Sequence, residues 1–222
     1  MNTPFPVLFI IILLILFSCA AQTSFEPVGK GNMRGNVGIG GPIISAFGAR
    51  IPVPYLTIGA NYGIAERINI HGNLHLFSLG YKIVGFDFGA AWFPLLNEGL
   101  SPTISIQPRL LVFASTKSDV TSRFRAYPIF TNTAAWKVRN NMLYTGYDLV
   151  IPFSNPDYDS EASSAIFSPF VGYRWNVGER TRLTTELKWH GANIKSDQLA
   201  VEYVPIGGYG AITTLFSIER SF

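Results

Sequence analysis

The sequence predicts an all-β protein, an antiparallel up-and-down transmembrane β-barrel of about ten strands. Three observations lead to this fold class. Stretches of alternating hydrophobicity recur from Asn32 onward and are separated by turn-forming residues, as in membrane barrels. The outward-facing positions of these stretches are apolar and almost free of charge. Beyond the N-terminal leader, no apolar run approaches the roughly 20 residues that a membrane helix needs.

The composition agrees with this class and limits the functions to consider. The chain has 222 residues, enough for one large barrel domain. Hydrophobic residues make up 48% of it, and its 17 Phe, 10 Tyr and 4 Trp suit pleated surfaces and membrane interfaces. The formal net charge is +3, with the basic residues scattered along the chain. Because a nucleic-acid site needs a clustered basic patch, we expect no nucleic-acid partner.

The first residues predict an export signal. An apolar core is followed by Cys19-Ala20-Ala21, which satisfies a signal-peptidase site and gives a signal peptide over 1–21. The run Leu16-Phe17-Ser18-Cys19 also resembles a bacterial lipoprotein box, in which the signal covers 1–18 and Cys19 carries the lipid. Both routes stay open. Since Cys19 is the single cysteine, the mature chain can form no internal disulfide.

The remainder divides into a periplasmic N-terminal segment, residues 22–31, and the barrel, residues 32–222. The clearest strand is 67–77, where apolar and polar residues alternate strictly. A period of two separates these faces, whereas a helix would mix them. The same alternation gives strands near 32–41, 52–64, 67–77, 82–94, 102–114, 122–137, 141–152, 164–176, 180–191 and 208–222.

The connections between these strands predict an orientation. Short ones alternate with generally longer ones, and barrels of this class keep their short turns on the periplasmic side. An even number of crossings returns the chain to its starting side, so both termini are expected in the periplasm. The short connections lie at 65–66, 95–100, 138–140 and 177–179, and the longer ones at 41–51, 115–121, 153–163 and 192–207.

The outward face predicts contact with lipid. A charge at the bilayer midplane would cost roughly 2–4 kcal/mol, and none occurs on this face until Arg220. Aromatic residues also stand on the outward face just before the short turns, where amphipathic rings prefer the headgroup level. These predict a periplasmic aromatic girdle of Tyr62, Trp92, Trp136, Trp175 and Phe222.

The inward face predicts a charged lumen. Charges in a confined space must pair or stay hydrated, and a barrel of about eight strands is already filled by its side chains. A salt-bridge network that closes the lumen is therefore expected, while a surplus of cations keeps a narrow anion-preferring pore open as an alternative. The network comprises Arg34, Arg67, His71, His75, Asp87, Arg109, Arg123, Arg125, Asp148, Arg174, Arg182, Glu186, Lys188, His190 and Glu219.

Three prolines strain this interpretation. Pro108, Pro128 and Pro169 fall inside predicted strands, where each removes a ladder donor. An unbroken register also turns Asn132 toward lipid. A β-bulge near Pro128 or Thr131 would explain both features on that strand.

The C-terminal segment 209–222 resembles the terminal strand by which bacterial outer-membrane proteins are recognised for assembly, an alternating strand that closes on an aromatic residue. The turns 62–67 and 175–180 resemble a hairpin motif of such barrels and repeat each other. The chain is thus similar to small outer-membrane barrels of Gram-negative bacteria, of the Bacteroidetes type. The resemblance implies insertion into outer-membrane lipid, contact with the assembly machinery through the last strand, and room for an envelope protein partner.

A surface enzyme is the third alternative. His190 and Asn193 match the His-x-Ser-Asn motif of outer-membrane lipid A deacylases, but Ala192 stands where the nucleophilic serine belongs, and acyl transfer fails without it. The omptin proteases use acidic pairs at the outer rim, which His75 and His190 lack on their strands. We therefore expect no catalytic site, no metal site and no cofactor, and a structural or partner-binding role for the barrel.

Overall fold

The computed structural model describes residues 24–46, 49–52, 55–80, 82–117, 124–151, 165–196 and 203–222. Cys19 and Arg123 lie outside these ranges. The described residues form strands β1 (Met33–Ala46), β2 (Ala49–Pro52), β3 (Tyr55–Ala65), β4 (Ile68–His75), β5 (Ile83–Leu95), β6 (Thr103–Ser115), β7 (Phe124–Val138), β8 (Asn141–Val150), β9 (Ile166–Asn176), β10 (Thr181–Lys195) and β11 (Tyr209–Ser221), and one short helix, α1 (Leu76–Leu79).

The strands form a closed antiparallel barrel. From β3 to β11 each strand pairs with the next along the chain, and β1 lies between β3 and β11. The closing ladder pairs Arg34 with Ser221 and runs to the pair of Pro42 with Thr213. Strand β2 pairs with the last residues of β1 and prolongs it as a hairpin. The predicted fold class, a ten-stranded antiparallel barrel, is confirmed.

The two ends of the barrel differ in their connections. Strands β3, β5, β7 and β9 finish at one end, which we call the turn end, and there the tight turns 66–67 and 139–140 join β3 to β4 and β7 to β8. The opposite end, which we call the loop end, carries α1 and the long connection from β8 to β9. Chain direction therefore gives the depth of any inward side chain: the first residues of β4, β6, β8 and β10 lie at the turn end.

The barrel is apolar outside and polar inside. On β5, Phe88 is 49% exposed on the outer face while its neighbour Asp87 is 2% exposed in the lumen. On β10, Leu187 is 51% exposed and Glu186 3%. A soluble barrel would show the opposite distribution, because water favours polar exteriors. Among the described residues, no helix is long and apolar enough to cross a membrane.

Each of the three prolines is paired with one neighbouring strand and lies at a gap or beyond the end of the ladder with the other. Between β5 and β6 the paired residues skip the position of Pro108, the ladder of β9 with β10 ends at Phe170, just before Pro169, and Pro128 lies beyond the last pair of β7 with β8. The predicted bulge near Pro128 or Thr131 is wrong, since β7 keeps its register with both neighbours. Asn132 therefore does face outward, in register with Ile106 and Tyr147.

Strand β4 ends earlier than predicted. Helix α1 begins at Leu76, and the Ser78 hydroxyl donates a 2.7 Å hydrogen bond to the carbonyl of His75. A serine that bonds locally to the backbone competes with a continuing ladder. The turn from β4 to β5 is thus helical at a point where the alternation alone predicted two further strand residues.

The outer face makes a testable prediction at Phe88, which is 49% exposed and pairs with Leu110 near the middle of β5 and β6. Replacing Phe88 with Arg should lower the folded yield in lipid, because a charge at the middle of the bilayer costs roughly 2–4 kcal/mol. Phe88→Met is the matched control, similar to Arg in length but uncharged. The fraction that migrates as folded barrel on an unheated gel measures the effect, and equal folded fractions would contradict the assigned outer face.

Candidate functional site in the barrel lumen

A short N-terminal segment, residues Ser24–Val28, runs inside the barrel, and we call it the lumen strap. The Ser24 amide donates to Gln107 Oε1 at 3.1 Å, and the Val28 amide donates to Asn69 Oδ1 at 3.0 Å. Asn69 Nδ2 in turn donates to the carbonyl of Glu26 at 3.2 Å. Since Asn69 is near the start of β4 and Gln107 is deeper on β6, the strap passes into the lumen from the turn end.

This placement differs from the sequence prediction, which put 22–31 in the periplasm ahead of the barrel. The reversal occurs at two glycines, Gly29 with a φ of 87° and Gly31 with a φ of 79°, which L side chains rarely adopt. A Cβ on Gly63 would lie 2.0 Å from the Gly29 carbonyl oxygen, so the chain bends closely against β3. The amide of Gly31 donates to the carbonyl of Gly63 at 2.8 Å.

Phe25 is the apolar anchor of the lumen strap. Its ring is 2% exposed and stacks on Tyr144 with 4.1 Å between centroids. The guanidinium of Arg174, on β9, lies 4.8 Å from the centroid of the Phe25 ring, a cation–π distance. Phe25 also belongs to the buried cluster that contains Met142 and Phe170. An aromatic residue with this environment is held by both burial and stacking.

Glu26 is the charged anchor. Its carboxylate lies 2.7 Å from Arg34, bonds to Arg174 and lies 3.8 Å from Nε of Arg182. Burial alone would raise the pKa of Glu26, but Arg174, Arg34 and Arg182 together outweigh it and hold this pKa below its ordinary value of 4.5. A single carboxylate thus satisfies cations from β1, β9 and β10. On the side of Glu219, the cavity between the strap and the wall is about 10 Å³, room for one water.

A second layer of polar contacts crosses the middle of the lumen. Asp148 accepts hydrogen bonds from Arg109 at 3.1 Å, from Lys188 at 2.8 Å and from the hydroxyl of Thr131 at 2.5 Å. Lys188 also lies 3.1 Å from Glu186, which accepts a 3.0 Å bond from the hydroxyl of Tyr144. Tyr144 therefore joins this middle layer to Phe25 of the strap.

A third layer lies toward the loop end. His75 Nε2 and Asp87 Oδ2 are 2.8 Å apart, and Asn73 donates to the same carboxylate at 2.9 Å. The ring of His75 packs edge-on against Tyr55 and Phe113 at centroid distances of 5.1 and 5.8 Å. His75 and Asp87 are almost fully buried, so this pair fills part of the lumen next to β4 and β5 at that level.

The predicted network residues are distributed unevenly. The prediction for Arg67 is wrong, because Arg67 lies in the exposed β3–β4 turn and not in the lumen. Its Nη1 donates to the carbonyl of Pro94 at 3.2 Å. Alternation assigned this residue to the lumen, but the tight turn begins before it. His71 is buried on β4, Arg125 is exposed near the loop end of β7, and His190 Nδ1 lies 3.5 Å from the Ser168 hydroxyl.

The predicted girdle residues stand on the outer face near the turn end. Tyr62 pairs with Met33, Trp92 with Ile68, Trp136 with Leu143 and Trp175 with Leu183, and Phe222 follows β11 and is 71% exposed. Their contact with a headgroup layer stays a prediction. Lipidation of Cys19 stays a prediction as well.

Sequence reasoning missed the residues that hold the strap. Phe25 and Glu26 lie outside any periodic stretch. The wall partners of the strap are the polar or aromatic residues Asn69, Gln107 and Tyr144, which alternation only assigned to an inward face. The available signal was the pair Gly29 and Gly31, which marks a sharp reversal ahead of the first strand.

Below the strap, the lumen widens into a cavity of about 660 Å³ at the turn end, which we call the vestibule. Its lining is polar, with cations and side-chain amides around the carboxylates of Glu26 and Glu179. The other lining residues are Pro27, Leu96, Asn97, Thr103, Lys137, Asn140, Asn141, Met142, Arg174, Asn176, Gly178 and Arg182. The vestibule connects the strap to the exterior at this end.

The candidate catalytic positions have structural contacts. Asn193, which matched the deacylase motif, accepts a bond from the amide of Phe167 at 2.9 Å and donates to the carbonyl of Ala165 at 2.8 Å. These bonds fasten the loop end of β10 to β9. Within the described residues, no three His, Cys, Asp or Glu side chains cluster in a way that would hold a metal ion.

Solved structures similar to this chain are outer-membrane β-barrels. An outer membrane channel from Pseudomonas putida F1 has a TM-score of 0.50 and 12% identity, covering 92% of this chain and 100% of its own. An anion-selective porin from Comamonas acidovorans has a TM-score of 0.36 and 14% identity, covering 81% of this chain and 52% of the porin. The outer membrane protease OmpT from Escherichia coli has a TM-score of 0.40 and 9% identity, covering 90% of this chain and 99% of the protease.

The likeness to the Pseudomonas channel shows a shared barrel fold and nothing about activity. No protein-family model matches the sequence, and no curated protein matches it.

The middle layer makes a prediction about stability. Asp148→Asn removes the carboxylate that Arg109 and Lys188 share. Lys188 keeps Glu186, but Arg109 loses this buried counter-charge, at a cost of about 3–5 kcal/mol. The thermal unfolding midpoint should fall clearly. Glu66→Gln, on an exposed turn, is the control and should leave the midpoint unchanged. A midpoint for Asp148→Asn equal to that of the control would show that the layer does not stabilise the barrel.

The lowered pKa of Glu26 makes a prediction about pH. Because the folded barrel holds Glu26 ionised, its contribution to stability is complete above the unfolded pKa of about 4.5 and is lost as the pH falls through the lowered value. The unfolding midpoint of Glu26→Gln should lie below that of the unmodified chain at neutral pH, and the gap should narrow under acid. A gap that stays constant down to a pH of about 3 would contradict the three-arginine environment.

Proposed function

We propose that this chain is an integral protein of the bacterial outer membrane whose lumen is closed and whose role is structural or partner-binding. The observation that carries the proposal is the lumen strap, which lies across the lumen between the vestibule and the middle layer, with a cavity of about 10 Å³ between it and the wall beside Arg34 and Glu219. The middle layer supports the same conclusion, because Arg109 and Lys188 both bond to Asp148 across the barrel. Side chains that satisfy each other in this way leave little path for hydrated ions.

An outer-membrane location is supported by the outer wall. Exposed residues such as Ile58, Phe88 and Leu187 form a continuous apolar exterior around the barrel, which only lipid covers favourably. Strand β11 would contact the assembly machinery, since it ends on the exposed ring of Phe222. The Bacteroidetes type of the chain and its lipoprotein processing are part of the same proposal and rest on the sequence resemblance.

Ion conductance tests the closed lumen. The purified full-length protein, with insertion verified by its folded migration on an unheated gel, should give no discrete current steps in a planar bilayer. An outer-membrane porin added to the same bilayer is the positive control for insertion and recording. Discrete anion-selective steps from the unmodified protein would contradict the proposal and favour the narrow anion-preferring pore.

Surface proteolysis tests the orientation, for which we propose that the turn end and both termini face the periplasm. A protease added to intact cells should cut within 155–164, in the long connection between β8 and β9, and spare the tight turn at 138–141. Permeabilised cells supply the control in which both segments meet the protease. Cleavage at 138–141 in intact cells would reverse the orientation.

A further inference from the structure

We propose that the turn-end lumen is a binding site for an extended acidic peptide of a partner protein, and that the lumen strap occupies this site in cis. This inference rests on the proposed function, since it names the class of partner for a closed barrel. The occupant is a polypeptide segment in which an aromatic residue directly precedes a carboxylate, as Phe25 precedes Glu26.

The wall recognises the backbone of the strap through side chains. Asn69 accepts from the Val28 amide and donates to the Glu26 carbonyl, and Gln107 accepts from the Ser24 amide. Such bonds depend on an extended chain and not on its side chains, as in other modes of peptide recognition. A small carboxylate would leave these amides without partners, which favours a peptide as the occupant.

The wall reads two side chains of the strap. The slot between Tyr144 and Arg174 takes an aromatic ring, and Arg174 together with Arg34 and Arg182 takes a carboxylate. Three guanidinium groups around one carboxylate are more than a structural ion pair requires, and arginine is the residue best suited to carboxylate recognition. Without an acidic occupant, three guanidinium groups would share the single wall carboxylate of Glu219, and their surplus positive charge would be repulsive in a confined space.

The barrel does not need the strap to close. The ladder of β1 with β11 starts at Arg34, and the named hydrogen bonds from the strap's backbone go to side chains on the wall. Gly29 and Gly31, both in the left-handed region, join the strap to β1. Exchange of the strap for another segment therefore breaks side-chain contacts at one end of the lumen and no strand pairing.

The vestibule gives such a segment access from outside. Its volume of about 660 Å³ adjoins Glu26 and Arg174 and continues the same basic lining with Lys137 and Arg182. The middle layer closes its inner end, because Tyr144 and Glu186 bond to each other there. The site is therefore a blind pocket whose charge attracts an acidic chain from the turn-end side.

The test uses the full-length chain with a weakened strap, Phe25→Ala/Glu26→Ala, and a fluorescent peptide of sequence Ser-Phe-Glu-Pro-Val-Gly. In the unmodified protein the tethered strap competes at an effective concentration in the millimolar range, so the peptide should bind poorly. In the double variant its affinity should rise at least tenfold, as measured by fluorescence anisotropy. A peptide with Gln in place of Glu is the matched control and should bind at least tenfold more weakly.

Absence of peptide binding by the folded double variant would overturn the inference, as would equal binding by the variant and the unmodified chain. Heat-modifiable migration on a gel verifies that each variant is folded. If the double variant does not fold, Glu26→Gln replaces it, because this variant retains Phe25. The two proposals fail separately. Current steps from the unmodified protein contradict the closed lumen, whereas a silent bilayer combined with no peptide binding contradicts only the peptide site.

Discussion

Closure of the sheet is the constraint on which the rest of this structure depends. Once β1 pairs with β11, alternate side chains of every strand point into one confined space, and those that face outward must suit lipid. Most polar side chains of the strands therefore point into the lumen. Because isolated burial of charge is costly, the lumen charges must be arranged so that each cation meets a carboxylate, and strand register becomes inseparable from charge pairing.

The layers differ in how this requirement is met. In the middle of the lumen, Asp148 and Lys188 come from strands of the wall and neutralise each other. At the turn end the wall supplies an excess of arginine, and the compensating carboxylate of Glu26 comes from outside the sheet. The middle layer is part of the barrel whether or not the strap is bound. The turn-end layer is complete only when a separate segment is present, and this difference distinguishes a structural network from a recognition site.

The sequence predicted what depends on a period of two and missed what depends on distant contacts. Alternation on β4 and β5 gave the inward faces, including Asp87, because it is a local property of the chain. Arg67 was misplaced because alternation does not mark where a strand yields to a turn. The strap has no period, and Glu26 meets Arg174 across 148 positions of sequence. The gap in the β5–β6 ladder at Pro108 likewise depends on the neighbouring strand and not on the local sequence.

The origin of the strap's contacts has a consequence for the order of assembly. Glu26 is among the first residues of the barrel to be synthesised, yet its partners Arg174 and Arg182 lie on β9 and β10. Contacts between such distant positions form late, because the loop between them must first be closed. The strap thus has no complete site until nearly all strands are in place, and its docking distinguishes a finished barrel from one still being built.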